Sequence, residues 1–146
     1  MLISYKREDQ LPARQLADVF ERQGWSVWWD PKLRAGESFD DVIEKALIAA
    51  RCFVVVWSRR SIDSTYVKDE ATYALNRNKL VPLSIEEVEL PFRFEWIHTP
   101  RLIDWDGKEE APAFQSILRD IIVIIGPSPG MEEMRQIRQE SDLTAD

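Results

Sequence analysis

The chain has little of what several classes of site require. Among its 146 residues it has one cysteine, Cys52, and one histidine, His98. A single cysteine rules out an internal disulfide and fits a reducing compartment. One cysteine and one histidine also fall short of the ligand sets that zinc sites use. We therefore expect no metal site, and we expect Cys52 to pack at the start of a strand.

Long apolar runs and phosphate-binding glycine loops are missing as well. The run from Ile121 to Ile125 is far shorter than the ~20 residues of a membrane span. No glycine-rich phosphate loop occurs, and no serine lies in a nucleophile-elbow motif near His98. The first residues, Met1-Leu2-Ile3, lead straight into polar ones, unlike a secretory signal. We therefore expect a cytoplasmic protein without a membrane partner and without P-loop or serine–histidine chemistry.

The chain carries a net negative charge, but its basic residues are not evenly distributed along the sequence. A net charge of −7 argues against nucleic-acid binding by the domain as a whole. Basic residues nevertheless follow closely on predicted strand ends; they are Lys6, Arg7, Lys32, Arg34, Arg59 and Arg60. They are either solvated loop charges or a local positive field for an anionic ligand at one rim of an acidic domain.

Short apolar segments alternate with amphipathic helical patterns along the chain. The predicted strands are Leu2–Tyr5, Trp25–Trp29, Phe53–Trp57, Leu80–Ile85 and Pro100–Asp104, and the predicted helices span 11–23, 38–50, 65–76 and 113–125. This alternation predicts an α/β fold, a flavodoxin-like doubly wound sheet of about five parallel strands with helices on both faces. The third strand ends at Trp57-Ser58, without the aspartate that a response-regulator receiver of the same fold needs.

One domain with a sizeable core is expected over residues 1–126. The segment Gly126-Pro127-Ser128-Pro129-Gly130 then breaks the pattern. Residues 127–146 are charged and have no long apolar stripe. We expect them to be a linker or tail, disordered if isolated or leading to a partner domain.

Tyr66 and Glu70 form the most informative local pattern. They are four residues apart, so a helix starting near Thr65 places the ring and the carboxylate on one face, beside the end of the third strand. Ligands bind at that end of the strands in open α/β sheets, and this pair suits stacking on and gripping a nucleoside. The alternative is that Glu70 is an acid favoured by the helix dipole and Tyr66 a half-buried helix-face aromatic.

Four motifs, in order along the chain, resemble the Toll/interleukin-1 receptor (TIR) domain family, of the bacterial type. They are Ile3-Ser4-Tyr5-Lys6-Arg7-Glu8-Asp9, Val27-Trp28-Trp29-Asp30 with Leu33-Arg34-Ala35-Gly36-Glu37-Ser38-Phe39, Val54-Val55-Val56-Trp57-Ser58, and Tyr66-Val67-Lys68-Asp69-Glu70. The resemblance covers roughly Leu2 to Asp106. The chain departs from the family at Tyr66, where tryptophan is common, but tyrosine can still stack on a base.

The resemblance implies cleavage of the N-glycosidic bond between nicotinamide and ribose in NAD+, which is a substrate here and not a cofactor. It assigns the catalytic carboxylate to Glu70. The residues that it implies for substrate binding are Tyr5, Lys6, Arg7, Phe39, Trp57, Ser58 and Tyr66. Because the leaving nicotinamide is already cationic, its departure needs no general acid. One carboxylate can therefore suffice, where ordinary glycoside hydrolysis uses two.

The resemblance also implies self-association through the loop after the second strand. The residues expected to shape that assembly loop are Pro31, Lys32, Leu33, Arg34 and Gly36. The implied setting is a bacterial immune or signalling protein, in which a regulatory or sensor domain accompanies this one. Two alternatives stay open, a non-catalytic adaptor that binds other TIR domains and a virulence factor that mimics host TIR domains. Glu70 favours catalysis, because adaptor members usually lack a glutamate at this position.

Overall fold

The computed structural model describes residues 1–29 and 40–144, with backbone alone for 40–43 and 141–144. Within these ranges the strands are β1 (Leu2–Ser4), β2 (Phe53–Trp57) and β3 (Leu80–Ser84). The helices are α1 (Gln10–Arg22), α2 (Asp40–Ala49), α3 (Thr65–Asn76), α4 (Pro112–Ile125) and α5 (Pro129–Thr144). Short 3-10 turns occur at Arg7–Asp9, Ser61–Asp63 and Phe92–Phe94. No helix in the described ranges is both long and apolar enough to cross a membrane.

The three strands form one parallel sheet in the order β1-β2-β3. The central strand is β2, whose five residues are all buried. Its Phe53 pairs with Leu2 of β1 and with Leu80 of β3. A continuous apolar run of this kind is what a parallel strand covered on both faces requires. The α/β fold with a parallel sheet, predicted from the sequence, is therefore confirmed.

Two of the five expected strands are reduced to single bridges in the described part of the chain. Trp28 makes a parallel bridge to Leu2, and Arg101 makes one to Ser84. The first lies just before residue 30, where the described part of the chain breaks off. The second is short because Asp104, with φ 54°, turns the chain out of the extended conformation. The bridges still place the five predicted segments in the order 2-1-3-4-5, which is the flavodoxin-like order.

Helices cover both faces of the sheet. The side chains of α1 and α4 that pack on one face include Leu16, Phe20, Phe114, Ile117 and Ile121. On the other face, Val67 and Ala71 of α3 pack with Val55 and Trp57 of β2. Successive side chains of a strand point to opposite faces, so β2 contributes to both layers of the core. The site residues on α3 are thereby fixed against the end of β2.

Helix α5 occupies most of the segment that we expected to be a linker or disordered tail. Two hydrogen bonds stabilise its first turn. The Ser128 side chain is buried, and its Oγ accepts a hydrogen bond from the N–H of Met131 at 3.2 Å, as an N-cap does. The N–H of Gly130 donates to the carbonyl of Gln23, just after α1, at 3.2 Å. The segment is thus helical, while a boundary near residue 126 and a partner domain stay predictions.

Phe114 of α4 is a sensitive point of the core, because its ring centroid lies 5.9 Å from that of Phe20 and 5.0 Å from that of Trp105. Phe114→Ala is expected to lower the free energy of unfolding by about 3–5 kcal/mol, since it removes these contacts and leaves a cavity. Val123→Ala, on the same helix but with the valine 85% exposed, should change it by less than about 0.5 kcal/mol. Urea denaturation followed by circular dichroism measures both. Equal losses would contradict this packing.

Candidate functional site

The carboxylate of Glu70 lies at the carboxyl edge of the sheet, in the interior. Ser4, the last residue of β1, donates a hydrogen bond from Oγ to Glu70 Oε1 at 3.0 Å. Ser4 is completely buried, and only 5% of the Glu70 surface is exposed. A carboxylate shielded from water is destabilising unless donors of this kind reach it. The hydrogen bond therefore ties Glu70 to the end of β1.

Helix α3 carries Glu70 on its buried face. The helix begins at a side-chain cap, since Ser64 Oγ accepts from the N–H of Val67 at 3.3 Å. The buried positions that follow are Val67, Glu70, Ala71 and Ala74, which recur at helical spacing. Three of the four are apolar. The sequence thus places one carboxylate within an otherwise apolar stripe.

Tyr66 lies one helical turn before Glu70, as the spacing predicts. The residue is 42% exposed. Residues four apart are neighbours on a helix surface. The structure therefore brings the ring and the carboxylate to the same end of α3, with the ring at the surface and the carboxylate in the interior.

A second buried carboxylate, Asp9, lies between the loops that follow β1 and β2. It is 5% exposed and accepts a short hydrogen bond from Ser58 Oγ. Arg60 Nη1 lies 3.8 Å from its other oxygen. Burial raises the pKa of the Asp9 carboxyl above its ordinary value of 3.8, and the Ser58 hydrogen bond and Arg60 lower it only in part. Asp9 joins the two loops at this edge.

Lys6 and Arg7 follow directly on the end of β1. Lys6 is half-buried and Arg7 is exposed. The turn Arg7–Asp9 is bonded to Lys6, because the N–H of Asp9 donates to the Lys6 carbonyl at 2.7 Å. Both basic residues are thus held at the carboxyl edge of the sheet, where an anionic ligand would meet charged donors.

Tyr5 and Trp57 are buried rather than displayed at this edge. Tyr5 is 2% exposed, and its hydroxyl donates to the carbonyl of Trp29 at 2.7 Å. Trp57 is completely buried, with its ring centroid 5.2 Å from that of Phe94. None of the surface of Trp57 is exposed in this structure, and its role in lining a pocket wall stays a prediction. A substrate-binding role for Tyr5 stays a prediction.

Part of the predicted site lies outside the described residues. These are Phe39 and the assembly-loop residues Pro31, Lys32, Leu33, Arg34 and Gly36. Their roles stay predictions. Of the predicted residues that the structure describes, those at one edge of the sheet are Lys6, Arg7, Ser58, Tyr66 and Glu70.

Sequence reasoning did not assign a role to Ser4 or Asp9. Both lie in the first-strand motif, but nothing local to them identifies their partners. An acid just before α1 has the pattern of an ordinary helix-start residue, and a serine at a strand end has no distinctive pattern at all. The one usable signal was the convergence of the ends of parallel strands at a single edge of the sheet.

Other parts of the described chain offer less chemistry. In residues 1–29 and 40–144, no three His, Cys, Asp or Glu side chains are grouped so that they could hold a metal ion. Cys52 is buried, and burial raises its pKa to about 12, which suppresses the reactive thiolate. A cavity of about 900 Å³ lies between α2 and the segment from Ser26 to Trp29, beside the start of β1, and no predicted substrate-binding residue lines it.

The side chains at the carboxyl edge have functional groups that could contact a nucleotide. A partly exposed ring can stack on a base or a sugar. Basic side chains beside it can pair with phosphate groups. A single fixed carboxylate can accept hydrogen bonds from ribose hydroxyls or stabilise a developing positive charge.

The chain matches a family model but no individual curated protein. The model of the TIR domain family matches residues 1–118. The matched range includes the whole sheet and every residue of the candidate site. A search of the curated proteins gave no match.

Asp9 makes a testable contribution to the pH dependence of stability. Because its pKa is raised on folding, this contribution is fully present below pH 3.8 and is lost as the pH rises through the folded-state pKa. Asp9→Asn removes the titration but keeps an oxygen that can accept from Ser58. The unfolding free energy of the variant, relative to wild type, should therefore increase across that window. Urea denaturation at a series of pH values measures it, and a change in favour of wild type would contradict the expectation.

Proposed function

The chain belongs to the TIR domain family, and on that premise we propose that it is an NAD+ nucleosidase. In this proposal it cleaves the bond between nicotinamide and ribose, as a hydrolase or a cyclase. Its biological setting is an effector domain of a bacterial immune or signalling protein. Glu70 is the catalytic carboxylate, and Tyr66, Lys6 and Arg7 bind the substrate.

The observation that carries the proposal is the buried carboxylate of Glu70 in an apolar helix face. Stability alone would favour an apolar residue there, as at Val67, Ala71 and Ala74, because burying a charge is unfavourable. The chain instead keeps a carboxylate and supplies it with a donor, Ser4 Oγ at 3.0 Å. Departures of this kind from the pattern of a stable core are expected at functional sites.

Cleavage of the nicotinamide–ribose bond of NAD+ requires only one carboxylate of this kind. The nicotinamide ring is cationic in the substrate and leaves as a neutral molecule, so no acid has to protonate it. Positive charge grows at the anomeric carbon of the ribose as the bond breaks. A carboxylate fixed beside that carbon stabilises this charge more in the transition state than in the ground state. Tyr66 stacks on the nicotinamide or ribose, and Lys6 and Arg7 pair with the anionic pyrophosphate.

The burial of Glu70 supports a requirement for assembly. With 5% of its surface exposed, the carboxylate does not meet a substrate unless the edge of the sheet opens. TIR domains commonly self-associate, and contacts between copies can select an open state that is rare in the single molecule. We therefore expect the isolated domain to be weakly active and the assembled one to be active.

The same burial favours a second candidate, a non-catalytic adaptor domain. In that case the Ser4–Glu70 hydrogen bond is a structural link between β1 and α3, and the domain acts only by binding other TIR domains. The two candidates differ in whether any NAD+ is consumed.

Glu70→Gln and Glu70→Ala should each lower nicotinamide release from NAD+ by at least about 100-fold, since a neutral side chain cannot stabilise the positive charge. The measurement is chromatographic, on protein tethered into oligomers by a fused coiled coil. Asp69→Asn is the matched control, because it removes an exposed carboxylate from the neighbouring position of the same helix and should leave the rate unchanged. Equal inertness of wild type and all three variants would favour the adaptor.

Dependence on assembly gives a separate prediction for the untethered domain. The rate of NAD+ loss per molecule should rise with protein concentration, because only associated copies open the site. Light scattering on the same samples reports the assembled fraction. A rate per molecule that is constant over the whole range, with no assembled species, would contradict this requirement.

A further inference from the structure

The contact between Asp9 and Ser58 links two loops that carry different parts of the candidate site. We propose that Asp9 is a positioning residue, which acts through Ser58 to hold the loop after β1 in register with the start of α3. This inference rests on the proposed function, because the group that it positions is Glu70. Asp9 itself need not touch the substrate.

Ser58 is held on several sides, so the direction of its hydroxyl is fixed. Its Oγ donates to Asp9 and accepts from the N–H of Ser61 at 3.1 Å. Its own N–H donates to Ser61 Oγ at 2.7 Å, and that oxygen in turn donates to the Val56 carbonyl at 2.8 Å. All three polar side chains, of Asp9, Ser58 and Ser61, are buried. Asp9 is therefore connected through Ser58 and Ser61 to the end of β2.

The same chain of hydrogen bonds continues into α3. The N–H of Ser64 donates to the Ser61 carbonyl at 3.0 Å, and Ser64 caps the helix that carries Glu70. On the other side, the N–H of Asp9 donates to the Lys6 carbonyl at 2.7 Å. Asp9 thus connects the loop after β1, which carries Lys6 and Arg7, to the start of α3, which carries Glu70.

The charges around Asp9 indicate that the presence of a carboxylate at this position is not explained by a gain in fold stability. Arg60 is the one cation within ion-pair distance in the described structure, at 3.8 Å, and it is 62% exposed, so water screens it. Glu8 and Glu86 oppose the charge of Asp9, and burial opposes it most. A neutral acceptor would serve the hydrogen bond with less desolvation. The contribution of Asp9 is therefore that of an acceptor for the Ser58 hydroxyl, which a neutral amide oxygen can also supply.

The test compares steady-state NAD+ cleavage by tethered wild type, Asp9→Ala, Asp9→Asn and Ser58→Ala. Asp9→Ala should lower kcat about tenfold or more with a smaller change in KM, because misplacing the carboxylate impairs the chemical step rather than binding. Ser58→Ala removes the same contact from the other side and should act similarly. Asp9→Asn should restore kcat to within about threefold of wild type, since its oxygen can accept from Ser58.

Two controls separate positioning from a general loss of structure. Asp120→Ala removes another carboxyl whose pKa burial raises, on α4 and away from the carboxyl edge, and should leave kcat unchanged. The double variant of Asp9 and Ser58 should be no worse than either single one, because both remove one contact. Circular dichroism at the assay temperature gives the folded fraction by which each rate is divided.

The outcomes are distinct. A kcat for folded Asp9→Ala and Ser58→Ala equal to that of Asp120→Ala, with active wild type, would overturn the positioning role and leave the proposed function intact. Effects of Asp9→Ala and Ser58→Ala that multiply in the double variant would also overturn it. Inactive tethered wild type would overturn the proposed function and the positioning role together.

Discussion

The hydrogen bond from Ser4 Oγ to Glu70 Oε1 joins the end of β1 to the second turn of α3, and the candidate site depends on it. Glu70 lies among apolar positions of the helix face, and an unassisted carboxylate there would weaken the packing of α3 on the sheet. Ser4 supplies a donor from a strand of only three residues. The strand end, the helix face and the carboxylate are thus mutually constrained, which gives the proposed catalytic carboxylate a fixed orientation.

Features with a local cause were predictable from the sequence. The apolar run Phe53–Trp57 identified the central strand, and the pattern over Thr65–Asn76 identified the helix with its observed bounds. The spacing of Tyr66 and Glu70 followed from the helical repeat. Each of these requires only a few neighbouring residues, so the periodicity of side chains was enough.

Features that depend on tertiary contacts were not predictable. Trp28 and Arg101 make only single bridges to the neighbouring strands in the described part of the chain, which the apolar pattern of these two segments does not indicate. Helix α5 lies where the composition indicated a tail, and its start is held by the hydrogen bond from the N–H of Gly130 to the carbonyl of Gln23. In the site, Ser4 and Glu70 are 66 positions apart, and Asp9 and Ser58 are 49 apart. The sequence of one chain shows strand ends that converge, but not which side chains meet there.

The central claim is that one carboxylate suffices because the leaving group carries a positive charge. The most direct measurement is nicotinamide release by assembled wild type from NAD+, beside release of the dihydro base from NADH under the same conditions. NADH binds the same groups but has a neutral ring, which would have to leave as an anion without a general acid. We expect cleavage of NAD+ and a rate at least about 100-fold lower for NADH. Cleavage of both at similar rates would contradict the claim.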